Sequence, residues 1–258
     1  PNKACDALAI HPNGRLFAVG WGGEGVFVLD RDEQGRPVGK ATFHRTGGYG
    51  GYSVAIRRDG QKLYRGTYPS VIEVCDLDKR GDVVGQPRAV PIPNGPQEYV
   101  RIVATERAIF FRGPDKRLAW FALDAAGEIG GAMKSADIPN LQGVAGANRP
   151  DRLLIAVASQ FSDAITKQPM ASGVEVREVA LNADGSPGAV VRRSKPFVRA
   201  EATSVSGGDG AALAAKSLGR VFLGNRIAGL KVRCTLVSLE ADGTPLPAMR
   251  SIKFGDHA

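Results

Sequence analysis

One turn is written five times in this sequence. "LDRDEQGRPVG" occupies 29–39, and "LDKRGDVVG" (77–85), "LDAAGEIGG" (123–131), "LNADGSPGA" (181–189) and "LEADGTPLP" (239–247) follow it. The turn glycines are Gly35, Gly81, Gly127, Gly185 and Gly243, so the successive spacings are 46, 46, 58 and 58 residues. A second marker keeps the same register in a different phase. "HPNGRLFAV" (11–19) and "RRDGQKLYRG" (57–66) place Gly14 and Gly60 46 residues apart, and "ERAIFF" and "RPDRLLIAV" take the matching places later. A period sustained along a whole chain calls for a repeat architecture, in which each unit buries its apolar faces against its neighbours.

Within each period, runs rich in β-branched and aromatic residues alternate with Gly, Asn, Asp and Pro clusters at roughly ten-residue intervals, the pattern of short strands joined by tight turns. The second unit is clearest: "YSVAIRR", "KLYRGTY", "VIEVCDL" and "PRAVPIP" are four strands of one sheet. The third unit offers "EYVRIVA", "RAIFFRG", "RLAWFAL" and "GAMKSADI", and the fourth and fifth follow with longer connections. "GDGAALAAKSLG" (208–219) is the best helix candidate, and it is short.

A four-stranded sheet repeated every ~40–50 residues has the period of a β-propeller blade. The chain resembles the propeller class that includes lactonase-like, YVTN-repeat and WD40 proteins. The resemblance is carried by the "HPNG-RLFAV" and "RRDG-QKLY" hairpins followed by "VFVLD" or "VIEVCDLD", and it covers essentially the whole chain. The expected fold is all-β: one β-propeller domain over 1–258, of four-stranded antiparallel blades, with units at about 6–46, 50–95, 97–140, 141–199 and 200–255. Lactonase-like and YVTN propellers usually close with seven blades, so five visible units leave two readings. A five-bladed ring is favoured over part of a larger one.

Composition narrows the function classes. No run of about 18 apolar residues occurs, which excludes a membrane-spanning helix on the sequence pattern. The first residues show no initiating Met and no signal pattern, which leaves export open and slightly favours an extracytoplasmic location. Cys5, Cys75 and Cys234 lie far apart and form no C-x-x-C pair, so at most one disulfide can form; Cys75 and Cys234 sit inside apolar strands and read as buried thiols. The formal charge of +8 favours anionic partners in general, but the basic residues are dispersed and give no specific nucleic-acid signal.

The opening motif itself invites a calcium reading, since Asp30 and Asp32 make a D-x-D before a glycine. An EF-hand-type loop needs further oxygen ligands and a terminal bidentate Glu, which neither this stretch nor "DLDKRG" supplies. Asp in such turns bonds turn backbone instead, so no metal site is assigned. "GWGGEG" (20–25) has glycines but no following helix to aim amides at phosphate. No cofactor is identified.

In propellers, the connections from an outermost strand to the next blade's innermost strand gather on one face with the second-to-third-strand loops. That rule, implied by the resemblance, selects 43–52, 92–101, 138–143 and 197–203 together with 20–25, 67–70, 113–117, 160–173 and 225–229. Two readings of this loop face stay open. Trp21, Tyr49, Tyr52, Tyr68 and Tyr99, with Gln97 and Arg101, offer stacking and hydrogen-bonding surface for a small molecule, a carbohydrate or a protein. Alternatively His44, with Arg45, Glu98 and Glu201, could activate water or polarise a carbonyl, as a lactonase-like hydrolase requires. His11 belongs to a turn on the opposite face. A third possibility is a propeller fragment or subunit completed by another chain. The binding reading leads, because no complete catalytic constellation is visible.

Overall fold

The computed structural model describes residues 5–20, 23–47, 50–95, 100–114, 117–138, 141–146, 150–162, 169–193, 197–198, 220–227, 231–238 and 250–253. The first sheet is β1 (Cys5–Ile10), β2 (Leu16–Gly20), β3 (Gly25–Arg31) and β4 (Pro37–Arg45), in that order and antiparallel. The second is β5 (Gly51–Ile56), β6 (Lys62–Thr67), β7 (Val71–Leu77) and β8 (Val83–Pro91). The third is β9 (Ile102–Ala104), β10 (Ala108–Arg112), β11 (Leu118–Leu123) and β12 (Ile129–Ala136). The fourth is β13 (Leu141–Gly146), β14 (Arg152–Ser162), β15 (Pro169–Leu181) and β16 (Pro187–Arg193), with β17 (Phe197–Val198) also paired to β15. A fifth sheet has the described strands β18 (Arg220–Ile227), β19 (Lys231–Ser238) and β20 (Arg250–Lys253). No α-helix occurs among the described residues, and the segment 208–219 lies outside them.

The chain divides into two compact units, Pro1–Asp115 with Ala119–Ser135, and Lys116–Leu118 with Ala136–Ala258. In the first unit the sheets meet face to face, with β1 and β2 against β5, and β5 and β6 against β9. One apolar layer joins Phe17, Val19, Val26 and Val28 of the first sheet to Val54, Leu63, Cys75 and Leu77 of the second. A second layer joins Tyr64, Ile72 and Val74 to Ile102, Ile109, Phe111 and Phe121 of the third. Alternation along β6 and β7 therefore feeds two cores, so neither face reads as the polar side of a half-wet sheet. The outermost strands β4, β8 and β12 are mostly exposed. In the second unit, Leu141, Leu153, Ile155, Val157 and Val179 are buried.

The repeated motif is a repeated turn. Gly35, Gly81, Gly127 and Gly185 have φ between +78° and +83°, the left-handed region that glycine enters without a steric penalty. Three residues before each stands an acceptor: Asp32, Asp78, Asp124 or Asn182, whose backbone carbonyl takes the glycine N–H. The carboxylates of Asp32, Asp78 and Asp124 also accept turn amides, from Arg36, from Arg80 and Asp82, and from Glu128. Asp30 instead takes the Arg15 guanidinium at 2.9 Å. The D-x-D carboxylates thus serve the turn and its neighbour strand. Just beyond the first three turns, Gly39, Gly85 and Gly131 repeat φ values of +70° to +72°. At the first two the ladder breaks in the same way: Leu29 faces Gly39, Lys40 and Ala41, and Cys75 faces Gly85, Gln86 and Pro87.

Two expected loops are shorter or are strand. Residues 160–173, read as one loop, are largely strand: β14 and β15 run into it and pair Phe161 with Met170 and Ser162 with Pro169. The start of the expected connection 197–203 forms β17, where Phe197 and Val198 pair with Val174 and Gly173. Both changes have one cause. β15 is long enough to offer a free edge beyond β16, and a following segment adds to it.

Candidate functional site

Arg65 organises the loop end of the first unit. It lies in β6 with no solvent exposure, where its Nε donates to Glu73 Oε2 of β7 at 2.9 Å. Its Nη1 donates to the carbonyls of Gly23 (3.1 Å) and Gly25 (3.0 Å), and Nη2 to the carbonyl of Gly47 (2.6 Å). The Thr46 hydroxyl donates to the same Glu73 oxygen at 3.1 Å. One guanidinium of the second sheet therefore ties down the β2–β3 loop and the β4–β5 connection of the first. A planar fork of donors suits this work better than a lysine point charge does. Glycine is needed at the starts of β3 and β5, where a side chain would have no room. A Cβ on Gly25 would lie 2.1 Å from the His44 carbonyl oxygen, and one on Gly51 would meet the Arg65 stem at 2.9 Å.

A second link joins the inner strands. Ser53 of β5 is buried, donates its hydroxyl to the Val100 carbonyl at 2.9 Å and accepts the Ile102 amide at 3.0 Å. Gly66 packs beside it, where a Cβ would fall 2.0 Å from the Val100 oxygen. The segment that leads into β9, and with it Arg101, is thereby fixed to the second sheet. Electrostatically the site is costly. Burial pushes the Glu73 carboxyl above its ordinary range, against the pull of Arg65 and the Thr46 hydrogen bond.

The sequence-selected residues fall as follows. His44 lies near the end of β4, paired with Val26, half-buried, and its Nε2 has no hydrogen-bond partner among the described residues. Arg45 is exposed and bridges Glu24 of the neighbouring loop at 2.6 Å. Tyr68 stands at the β6–β7 turn, 36% exposed, and Arg101 is half-buried just before β9. Tyr52 lies in β5. Trp21, Tyr49, Gln97, Glu98, Tyr99 and Glu201 lie outside the described residues. Among the described residues no three His, Cys, Asp or Glu side chains gather as a metal site requires. Cys75 is a buried free thiol.

Arg65, Glu73, Thr46 and Ser53 were not singled out from sequence, although a signal existed. "KLYRGTY" carries Lys62 and Arg65 and "VIEVCDL" carries Glu73 and Asp76 among apolar strand residues, and the register sets Arg65 directly opposite Glu73 and Lys62 opposite Asp76.

At the opposite end, cations cross between sheets at a repeated position. Arg15 meets Asp30 of its own sheet and Asp82 of the second at 2.7 Å, while Lys62 meets Asp76 of its own sheet and Glu128 of the third. His11 is buried here, its Nε2 2.9 Å from the Gly60 carbonyl, in the turn where the sequence put it.

No family model matches the chain, and no curated protein matches it. Solved structures do. A candidate 6-phosphogluconolactonase from Bacteroides uniformis is similar over 98% of this chain and 72% of its own, at 13% identity and a TM-score of 0.57. The WD40 repeats of RRP9 are similar over 98% of this chain and 80% of theirs (12% identity, TM-score 0.52), and a protein from Lactobacillus plantarum over 96% and 84% (15%, 0.51). At these identities the likeness concerns the fold. It is a β-propeller fold of antiparallel four-stranded sheets, within the broad class that holds lactonase-like and WD40 propellers.

Proposed function

We propose that this propeller is a binding module that offers the loop end of its blades to a ligand or a partner protein. The observation that carries the reading is the Arg65 cluster. A buried guanidinium bonded to three loop carbonyls and to Glu73 holds the backbone of 23–25 and 46–47 in one conformation before anything binds. Loops ordered in advance lose less conformational entropy on association, which is how a surface gains affinity without added area. Around them Tyr68 and Arg101 supply an aromatic face and a cation, residue types enriched at interfaces. Trp21, Tyr49, Tyr52, Gln97 and Tyr99 complete the proposed surface, and residues 1–258 act as one propeller domain. The likeness to WD40 repeats agrees with a protein partner, and the lactonase-like neighbour does not by itself bring its chemistry.

The test is a screen of peptide and glycan arrays, followed by titration of the best ligand. Tyr68→Ala and Arg101→Ala should each weaken binding about tenfold or more, the usual scale for an interface anchor, at an unchanged melting temperature. Lys40→Ala, on the outermost strand β4, should leave it unchanged. Turnover of a lactone or glycoside panel that disappears in His44→Ala would replace this reading with the hydrolase one, with Arg45, Glu98 and Glu201 as its further candidates.

A further inference from the structure

The fourth sheet is built on a longer hairpin than the second and third. One closing bond marks the same place in all three: the amide of Leu77 donates to the Gln61 carbonyl, that of Leu123 to Arg107 and that of Leu181 to Asp151. From acceptor to donor the chain runs 16 residues in the second and third sheets but 30 in the fourth. The hairpin thus more than accounts for the lengthening of the period from 46 to 58 residues. Extra length in a repeat protein collects in loops on one face, often the binding face.

In the second sheet, β5 and β8 accompany β6 and β7 from Leu63 to Thr67 and from Val71 to Leu77, nearly end to end. In the fourth, β13 accompanies β14 only as far as Val157, and β16 accompanies β15 only from Arg177 on. Ala158–Ser162 and Pro169–Val174 run on beyond them as two paired strands. On the β15 side of this ribbon, β17 adds antiparallel at Gly173 and Val174. On the β14 side, no strand among the described residues pairs with Ala158–Ser162.

An unpaired edge presents a row of N–H and C=O groups whose chemical complement is another extended backbone. Five residues are an ordinary strand length, and a two-stranded ribbon is marginal until a third strand joins it. The outer strands β4, β8 and β12 carry left-handed glycines that spoil their edges for pairing. The β14 edge reads "ASQFS", with no glycine, no proline and no charge. β17 shows on the other side what such a ribbon takes: a short extended segment. The register slips between Gln160 and Phe161 and leaves Ala171 unpaired, a bulge that bends the ribbon. A second copy would bring the same bent edge on a body of the same formal charge of +8, whereas a flexible segment follows the bend.

We propose that the Ala158–Ser162 edge of β14 is a strand-addition site, taken by an extended segment of a partner protein that pairs through its backbone. The site shares no residue with the surface around Tyr68 and Arg101, so it does not rest on that binding reading.

The probe is a short peptide, selected from a random phage-displayed library on the full chain and counter-selected on a variant lacking 159–172. That deletion brings the hairpin to the length of its counterparts, and circular dichroism with the melting temperature reports whether the variant keeps its fold. The decisive measurements use the intact chain. Amide exchange followed by NMR should find the outward amides of 158–162 open in the free protein and slowed when the synthesised peptide binds. A strand pairs along one edge, so N-methylating one alternate set of the peptide's amides should weaken binding about a hundredfold or more, while methylating the other set should cost little. Tyr68→Ala should leave this binding unchanged, which separates it from the surface around Tyr68. Outward amides already protected in the free chain would show the edge to be covered by the chain itself and overturn the proposal. Failure to enrich any peptide, or equal tolerance of both methylation patterns, overturns it as well. So does a dimer in sedimentation velocity that the deletion abolishes, since the edge would then belong to a second copy.

Discussion

Removing the Arg65 guanidinium leaves the Glu73 carboxyl buried without its cation, with three loop carbonyls that have lost their donor. Breaking one side of a buried pair costs about 3–5 kcal/mol, whereas replacing both partners by apolar groups is often close to neutral. Arg65→Met should therefore lower the midpoint of urea unfolding by an amount in that range, and adding Glu73→Leu should recover part of it. Recovery should be incomplete, since the carbonyls of Gly23, Gly25 and Gly47 stay without the guanidinium. The first sheet shows that the double apolar state is compatible with the repeat, because Ala18 and Phe27 stand at these positions there. A full recovery would mean that the loop carbonyls contribute nothing. The candidate site was legible only in outline for the same physical reason. A turn glycine announces itself, but a buried ion pair looks like two isolated surface charges until the strand register sets them opposite each other.

At the scale of the strand, the second glycine of the first three motifs gives the outer edges their shape. Gly39, Gly85 and Gly131 adopt left-handed φ with open space where a Cβ would point, so the constraint on them is backbone conformation alone. A bulge bends and twists a strand, and an edge so twisted is a poor template for pairing with another chain. Pro87 fits the same account, since it falls inside the irregularity opposite Cys75 and owes no hydrogen bond to the ladder. Gly85→Ala should destabilise by about 1–2 kcal/mol, the cost of a left-handed alanine. Gly130→Ala, also facing open space but without a left-handed φ, should be neutral or slightly stabilising, and urea midpoints of the two variants decide between them. The periodic glycines made the strand order of the first three sheets readable from sequence, because the turns are local. β17 and the long β14–β15 hairpin were not readable, since adding an edge strand depends on a partner far along the chain rather than on any local pattern.

Over the whole molecule, the charge pairs around Lys62 and Arg15, within and between sheets, should set the pH range of stability, and each limb has a definite sign. Hydrogen bonding from Lys62 holds the Asp76 carboxyl below its ordinary value of 3.8, and Arg15 does the same for Asp82. A depressed acid stabilises the fold fully above its unfolded value and loses that contribution as pH falls through the folded one. The acid limb should therefore lie below about pH 4. Glu73 acts oppositely, because burial raises its carboxyl, so the fold gains from this group as pH falls toward 4.5. On the alkaline side, burial pulls Lys62 down, but its bonds to Asp76 and Glu128 outweigh that and leave it above 10.5. Its contribution is full below 10.5 and disappears as pH rises through the folded value. Burial also pushes the Cys75 thiol up to about 12, and its ionisation in the unfolded chain adds to the alkaline loss above pH 9. Lys62→Met should accordingly flatten both limbs at once, removing its own alkaline contribution and releasing Asp76 on the acid side. Arg15→Met should flatten only the acid limb through Asp82, since the guanidinium itself does not titrate in the accessible range. Urea midpoints measured across pH for the three proteins separate these outcomes, and an acid limb unaltered in both variants would show that these charge pairs do not govern it.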